Sequence, residues 1–340
     1  MLDLLRLTRP VNLLIIAGTM VVMRHGVVGG LLGASGLTLG LGAPWFILLV
    51  CSTVLIAAGG NIINDYFDTR IDRINKPDAL IVGRTVPRRK AMAAHLVLSG
   101  LGLLCGWAVV AHTGLWRLAV IPPFAIGALW TYSTTFKRQL IIGNGLVATL
   151  TALVPLTVGL YEIPLAQRLH AGELLSAFND EAAVHFYFRV IWYWVFAFTG
   201  FAFVATLVRE LQKDMADVPG DRALGCRTIP IVWGMGAARA IVLVHTLVLV
   251  AALLLLRRAF LDDRLSYWYI ALLVLTLLIS AGLTWNAHDR PAHVRAGIVM
   301  KVAMVLAVLE RRAGIGLKTH DTYTATVGGV KVSEPAADLA

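Results

Sequence analysis

Two stretches of this chain gather residues able to do chemistry together. Between Asn61 and Lys90, the residues Asn61, Asp65, Asp68 and Asp72 recur at intervals of four, three and four. Between Arg209 and Arg227, Glu210, Asp214, Asp217 and Asp221 repeat those intervals at a constant offset of 149 residues. On a helix this spacing places the side chains on one face. The two stretches hold eight of the twenty acidic residues, so the acid is concentrated and not spread over a solvated surface. Carboxylates crowded where water meets hydrocarbon repel one another and are costly to ionise. A divalent cation makes them tolerable, and Mg2+ is often held by one or two carboxylates plus substrate phosphates.

Basic residues lie among the acids: Arg70, Arg73, Lys76, Arg84, Arg88, Arg89, Lys137, Arg209 and Lys213. They suit phosphate charge that the metal leaves exposed. The implied ligand is a diphosphate whose organic part occupies a cavity in the hydrocarbon, and a prenyl diphosphate meets both demands. Metal and cations would stabilise the departing diphosphate. The allylic carbon, left cation-like, would be attacked by a nucleophile bound beside it. Tyr66, Phe67, Trp130 or Tyr132 could shelter that carbon with their π faces.

These groups need elements to hold them. The chain has 340 residues, 58% of them apolar and 15% charged, with a mean hydropathy of +0.76. Soluble domains carry about 25% charged residues, so the composition predicts an all-α integral membrane bundle. No signal peptide is evident. The three cysteines have no paired spacing and suggest neither disulfides nor zinc. Apolar spans are predicted at about 11–28, 44–63, 92–110, 117–132, 143–160, 186–208, 237–256 and 267–285, with a ninth from Arg295 that is short for a crossing. Arg24 is expected to snorkel at the far end of the first span. Residues 29–43 read as a glycine-rich loop and 161–185 as a long polar connection. Pro219 and Gly220 are expected to interrupt the helix, so that Asp221 reaches the site from a turn. Residues 1–310 form one transmembrane prenyltransferase domain in this reading, and 311–340 a polar, disordered tail.

With the N-terminus inside, eighteen Lys and Arg fall on the inner side against seven outside, leaving out the tail and Lys301. That asymmetry places both acidic segments at the cytoplasmic face of the inner membrane. The matched motifs mark an internal repeat: two four-helix halves about a pseudo-twofold axis, plus one helix.

The wording of the motifs is similar to a known family. NDYFDTRID followed by RINKPD, and KDMADVPGD, resemble the two aspartate-rich motifs of the UbiA superfamily of intramembrane prenyltransferases. The resemblance runs from Arg9-Pro10-Val11-Asn12 through Tyr132-Ser133, Lys137 and Gly143-Asn144 to about Met304. Arg209-Glu210 just before Lys213-Asp214 resembles the digeranylgeranylglyceryl phosphate synthase branch, which joins geranylgeranyl diphosphate to geranylgeranylglyceryl phosphate as an ether. The resemblance implies nine transmembrane helices, Mg2+, and a side opening to the bilayer. It further implies that Asp65, Asp68, Asp72, Asp214, Asp217 and Asp221 bind metal-diphosphate with Asn61 and Asn64 assisting. Lys137 and Lys213 would contact phosphate, with Arg209, Arg84 and Tyr132 near the ligand and Asn12 lining the pocket. The segment IVGRTVPRR departs from the quinone and haem branches, and the end of the last helix departs from the family altogether.

Other readings use the same residues less well. Intramembrane carboxylates in two related halves also describe secondary transporters, but those sites lie near the midplane. An aromatic acceptor is the alternative within the family. The DG-x-x-AR signature of alcohol phosphotransferases is absent from the sequence. The net charge of +10 fits headgroups and phosphorylated substrates in an apolar chain, and nucleic acid is not expected. No obligate protein partner is evident. Arg88, Arg89 and Lys90 read as headgroup anchors, and His95, His112 and His245 as packing or interface residues.

Overall fold

Within hydrocarbon every backbone N–H and C=O must be satisfied inside the chain, which restricts an apolar run to a helix. The computed structural model describes residues 2–75, 77–261 and 263–309; the predicted tail lies outside them. Among the described residues the chain is helical apart from turns and one isolated bridge, Val82 to Val86. A short α1 (Leu2–Leu7) leads into α2 (Pro10–Val22), which opens on proline and continues through a π-helical turn (Met23–Val28) into α3 (Gly29–Gly33). There follow α4 (Ala43–Asn75), α5 (Arg88–Thr113), α6 (Ile121–Thr134, entered through a 3-10 turn at Trp116–Val120) and α7 (Ile142–Phe178). The rest of the bundle is α8 (Glu181–Ala223), the single turn α9 (Ile229–Val232), α10 (Gly234–Phe260), α11 (Arg264–Trp285) and α12 (Arg290–Leu309).

Eight of these stretches are long and apolar enough to cross a membrane, and the shorter α6 with its lead-in fills the fourth position. The protein is therefore a multi-pass integral membrane protein. Its first half is α2–α3, α4, α5 and α6, its second α7, α8, α10 and α11, and α12 is the extra helix. Length places the acidic motifs. At 33 residues α4 rises about 50 Å, against roughly 30 Å of hydrocarbon. Its last turns, which carry the first motif, must leave the apolar layer. The same holds for the C-terminal end of α8, a helix of 43 residues.

Several sequence expectations are corrected. The polar connection expected at 161–185 is helix except for Asn179 and Asp180: α7 runs on to Phe178 and α8 starts at Glu181. Asn179 takes a left-handed conformation and the Asp180 side chain accepts from the Ala182 N–H, so two residues make the whole turn. The loop expected from Gly29 begins only after Gly33. The last helix starts at Arg290, not Arg295, which gives it twenty residues. Arg24 does not snorkel. It is buried, 4% exposed, and its Nε donates to Glu162 Oε1 at 2.7 Å. The Phe46 ring lies 4.3 Å from its guanidinium, and Leu41 bonds to both charges, its C=O accepting from Arg24 and its N–H donating to Glu162 at 3.0 Å. The partners are 138 residues apart, and no local pattern announces such a pair.

Candidate active site

The two acidic helix ends meet. Pro219 lacks the N–H that would continue the ladder of α8, yet the helix runs through it to Ala223, so Asp221 sits on a helix and not on the expected turn. The reason lies on α4. The Asn75 side chain accepts from the Gly220 N–H at 3.0 Å and donates to the Asp217 carbonyl at 3.2 Å. Gly220 permits that approach, since a Cβ there would stand 2.6 Å from the Asn75 amide. One amide thus fastens the end of the first motif to the second.

Above this junction lies a polar cavity of about 760 Å³, into which Asp68, Asp72, Asp214, Asp217 and Asp221 open with Asn64 and Lys137. Lys137, in the connection between α6 and α7, donates to Asp68. Burial pushes the pKa of its ammonium down, but the charge and hydrogen bond of Asp68 together with Tyr132 outweigh that and hold it above its ordinary value. Asn144, at the start of α7, donates to Asp214 at 2.7 Å, and Arg290 lies 3.6 Å from Asp217. The linker between the halves and the first turn of α7 thus touch one motif each.

A second cavity, about 340 Å³ and mostly apolar, descends between the halves from Asn61 and Tyr132 past Ile56 and Val154 to Tyr161. Asn12 lines it too. Arg9, Asn64, Arg209, Lys213 and Lys301 border both cavities, so they mark the seam where polar space opens onto apolar space. Glu210 is buried at this seam, accepting from Arg209 at 2.6 Å and Lys213 at 3.3 Å.

Not every expected residue reaches the cavities. Asp65 lines neither, and its carboxylate is taken by Arg9 at 2.6 Å. Asn61 lines the apolar cavity while its amide donates to the Thr8 carbonyl, so both residues also hold the N-terminal turn. The face that opens on polar space is instead Asn64, Asp68, Asp72 and Asn75. Arg84 is exposed and lines neither cavity. Of the four aromatics considered, only Tyr132 lines a cavity. Phe67 packs edge-on against Tyr66 and Trp130, and Arg88 lies over Tyr66. His95 donates to or accepts from neighbouring groups within the bundle, and His112 stacks on Trp45. Asn75, Arg290 and Lys301 were not among the expected site residues; Glu210 had a signal in the spacing of the second motif, and Asn144 in the Gly143-Asn144 wording of the family resemblance.

The donor set suits magnesium. Among the described residues no three side chains converge tightly enough to enclose an ion by themselves. The Asn64 Oδ1 is buried with no hydrogen-bond partner while its amide donates to Asp68 at 2.8 Å, an oxygen left over beside a carboxylate. Asp68, Asp72, Asp214, Asp217 and Asp221 are the residues that would hold the metal.

Comparison with known proteins bears on this geometry. A profile of the UbiA prenyltransferase family matches residues 25–305. The chain is similar to the digeranylgeranylglyceryl phosphate synthase of Thermococcus kodakarensis, 30% identical over 90% of this chain and 95% of that one. A solved structure concerned with digeranylgeranylglyceryl phosphate synthase in membranes aligns with a TM-score of 0.59 at 19% identity, over 92% of this chain and 97% of that one. A UbiA homologue from Archaeoglobus fulgidus, bound to DMAPP and Mg2+, aligns with a TM-score of 0.53 at 15% identity, over 91% and 99%.

Proposed function

The chain belongs to the UbiA prenyltransferase family and is a prenyltransferase, and from that premise we propose that it transfers a prenyl group, geranylgeranyl, from its diphosphate to the free hydroxyl of a lipid-like acceptor, geranylgeranylglyceryl phosphate. The observation that carries this reading is the meeting of the two acidic helix ends over one polar cavity that opens, through a cationic seam, onto an apolar one. A diphosphate head fits the first space and an isoprenoid tail the second. The similarity to the Thermococcus kodakarensis enzyme supports the acceptor.

In this mechanism Lys137, Lys213 and Arg209 neutralise and orient the diphosphate. Asp68, Asp72, Asp214, Asp217 and Asp221 would hold magnesium, which would supply Lewis-acid charge to stabilise the departing diphosphate. That bond breaks as the acceptor hydroxyl bonds to the same carbon; the hydroxyl proton is released and diphosphate departs. Tyr132, buried on the apolar wall, faces the cation-like carbon, and the apolar lining keeps water from intercepting it. Asp65 acts one step removed, by holding Arg9. The excess of Lys and Arg beside the motifs supports a cytoplasmic-membrane location with the site facing the cytoplasm.

The test is transfer of label from geranylgeranyl diphosphate to geranylgeranylglyceryl phosphate by purified protein, with the ether product identified by mass spectrometry. Product is expected with Mg2+ and none with chelator. Well-folded protein that is inert toward every chain length and acceptor overturns the reading.

A further inference from the structure

Lys301 stands near the middle of α12, inside a span apolar enough to cross the membrane, and borders both cavities. A cation in such a place is costly and calls for a partner. Among the described residues no carboxylate lies within ion-pair distance of it; its ammonium donates to Asn12 Oδ1 at 2.5 Å. The charges acting on it are Arg209 and Arg9, both positive. Ion pairing along the seam is also uneven. Arg9 is matched by Asp65, and Arg209 and Lys213 share the single carboxylate of Glu210. By direct ion pairs four cations thus meet two carboxylates, the aspartates of the polar cavity act on Arg9 and Lys213 from farther off, and Lys301 is the cation with no carboxylate of its own among the described residues.

The backbone is consistent with a built site. Arg9 takes a left-handed conformation, φ 56°, immediately before Pro10. That region is disfavoured for a residue with a Cβ, and for one preceding proline, and such strain gathers where function fixes a side chain. Here the Arg9 guanidinium borders both cavities and reaches Asp65 at 2.6 Å.

We infer that Lys301, with Arg9 and Arg209, forms a second anion site, separate from the metal-diphosphate cluster, that binds the phosphomonoester of the lipid acceptor. A phosphomonoester carries about −1.5 to −2 charge near pH 7, which suits a cation left without a carboxylate beside two guanidinium groups. In a glyceryl phosphate bearing one ether chain, hydroxyl and phosphate lie within the same three carbons. A cation that fixes the phosphate at the seam therefore fixes the nucleophile beside the allylic carbon. Asn12 holds the Lys301 ammonium in place. The assignment rests on the lipid acceptor proposed above, and it adds the residues that select a phosphorylated one.

Thermal unfolding of detergent-solubilised full-length protein tests it apart from turnover. Lysophosphatidate, a single-chain lipid phosphomonoester, is expected to raise the wild-type midpoint, whereas monoacylglycerol or inorganic phosphate at equal concentration is not. In Lys301→Met the lysophosphatidate shift is lost and stabilisation by a non-hydrolysable prenyl diphosphate analogue with Mg2+ is kept; Lys301→Arg retains both. The apparent KM for the phosphorylated acceptor rises about tenfold or more in Lys301→Met, the loss of one hydrogen bond to a charged group, while that for the donor moves less. Lys301→Gln, which keeps a donor for Asn12, gives the same pattern should the methionine variant fold poorly. The inference is overturned if the wild type ignores lysophosphatidate, if inorganic phosphate alone reproduces the shift, or if Lys301→Met loses the donor shift and keeps the other. Absence of any ether product from the wild type would instead strike the proposed function.

Discussion

The Asn75 amide, at the last residue of α4, bonds to the Gly220 N–H and the Asp217 carbonyl of α8. Two helices from different halves of the bundle are thereby joined beside the polar cavity. Asn75→Ala is expected to lower turnover by about a hundredfold, the scale at which small misplacements of reacting groups act. Its cost in stability should be only about 1–2 kcal/mol. Gly220→Ala pushes a methyl into the Asn75 amide and should also impair turnover. The double variant relieves that clash, so the two effects fall short of additive. Steady-state rates on the four proteins decide it.

Asp68→Ala and Asp217→Ala should each lower kcat by at least roughly 10²- to 10³-fold, as expected when a group organising transition-state charge is removed. Both should leave the helical circular dichroism unchanged. Retention of most activity by either would remove that residue from the site. Asp65→Ala is expected to act differently, through release of Arg9, and so to weaken ligand binding more than the chemical step.

The Lys137–Asp68 pair predicts a pH dependence. Its folded pKa is raised above the ordinary 10.5. The pair's contribution to stability is then complete below that value and is lost as pH climbs through the folded pKa. Wild type and Lys137→Met should differ in unfolding midpoint at pH 7 to 9 and converge as pH climbs above the ordinary lysine value of 10.5. A difference that stays constant across that range would remove the pair from the account.

The buried Arg24–Glu162 pair gives a prediction remote from the site. Removing one partner leaves an uncompensated charge, so Arg24→Leu or Glu162→Leu should each destabilise by about 3–5 kcal/mol. The double substitution, which removes both charges, should cost less than either. Unfolding in detergent at fixed pH measures all three.

Much of the architecture was legible because hydrocarbon enforces it. Apolar runs gave the spans, and the matched intervals of Asn61 to Asp72 and Glu210 to Asp221 gave the two halves. What failed was failure of local rules under tertiary rescue. Pro219 should end a helix, but Asn75 takes up the neighbouring donor from 145 residues away. Arg24 should reach for headgroups, but Glu162 waits for it in the interior. The acidic face read from spacing was turned by a fraction of a helical turn, because Arg9 claims Asp65 and leaves Asn64 and Asn75 to complete the cavity. Lys301 had no signal beyond being an isolated charge in an apolar run, and its meaning appears only once Arg9 and Arg209 are seen beside it.

The two-residue turn at Asn179 and Asp180 joins helices of 37 and 43 residues. At 1.5 Å per residue these rise about 55 and 65 Å, so their shared tip stands well clear of a 30 Å apolar layer. It emerges at the end of the bundle away from the aspartates. An epitope inserted between those residues would be reachable by antibody from one side of a sealed vesicle only, and a cysteine label beside Arg222 from the other. The stiff hairpin is thus a built-in flag for sidedness, and reading it would tell which compartment supplies the substrates.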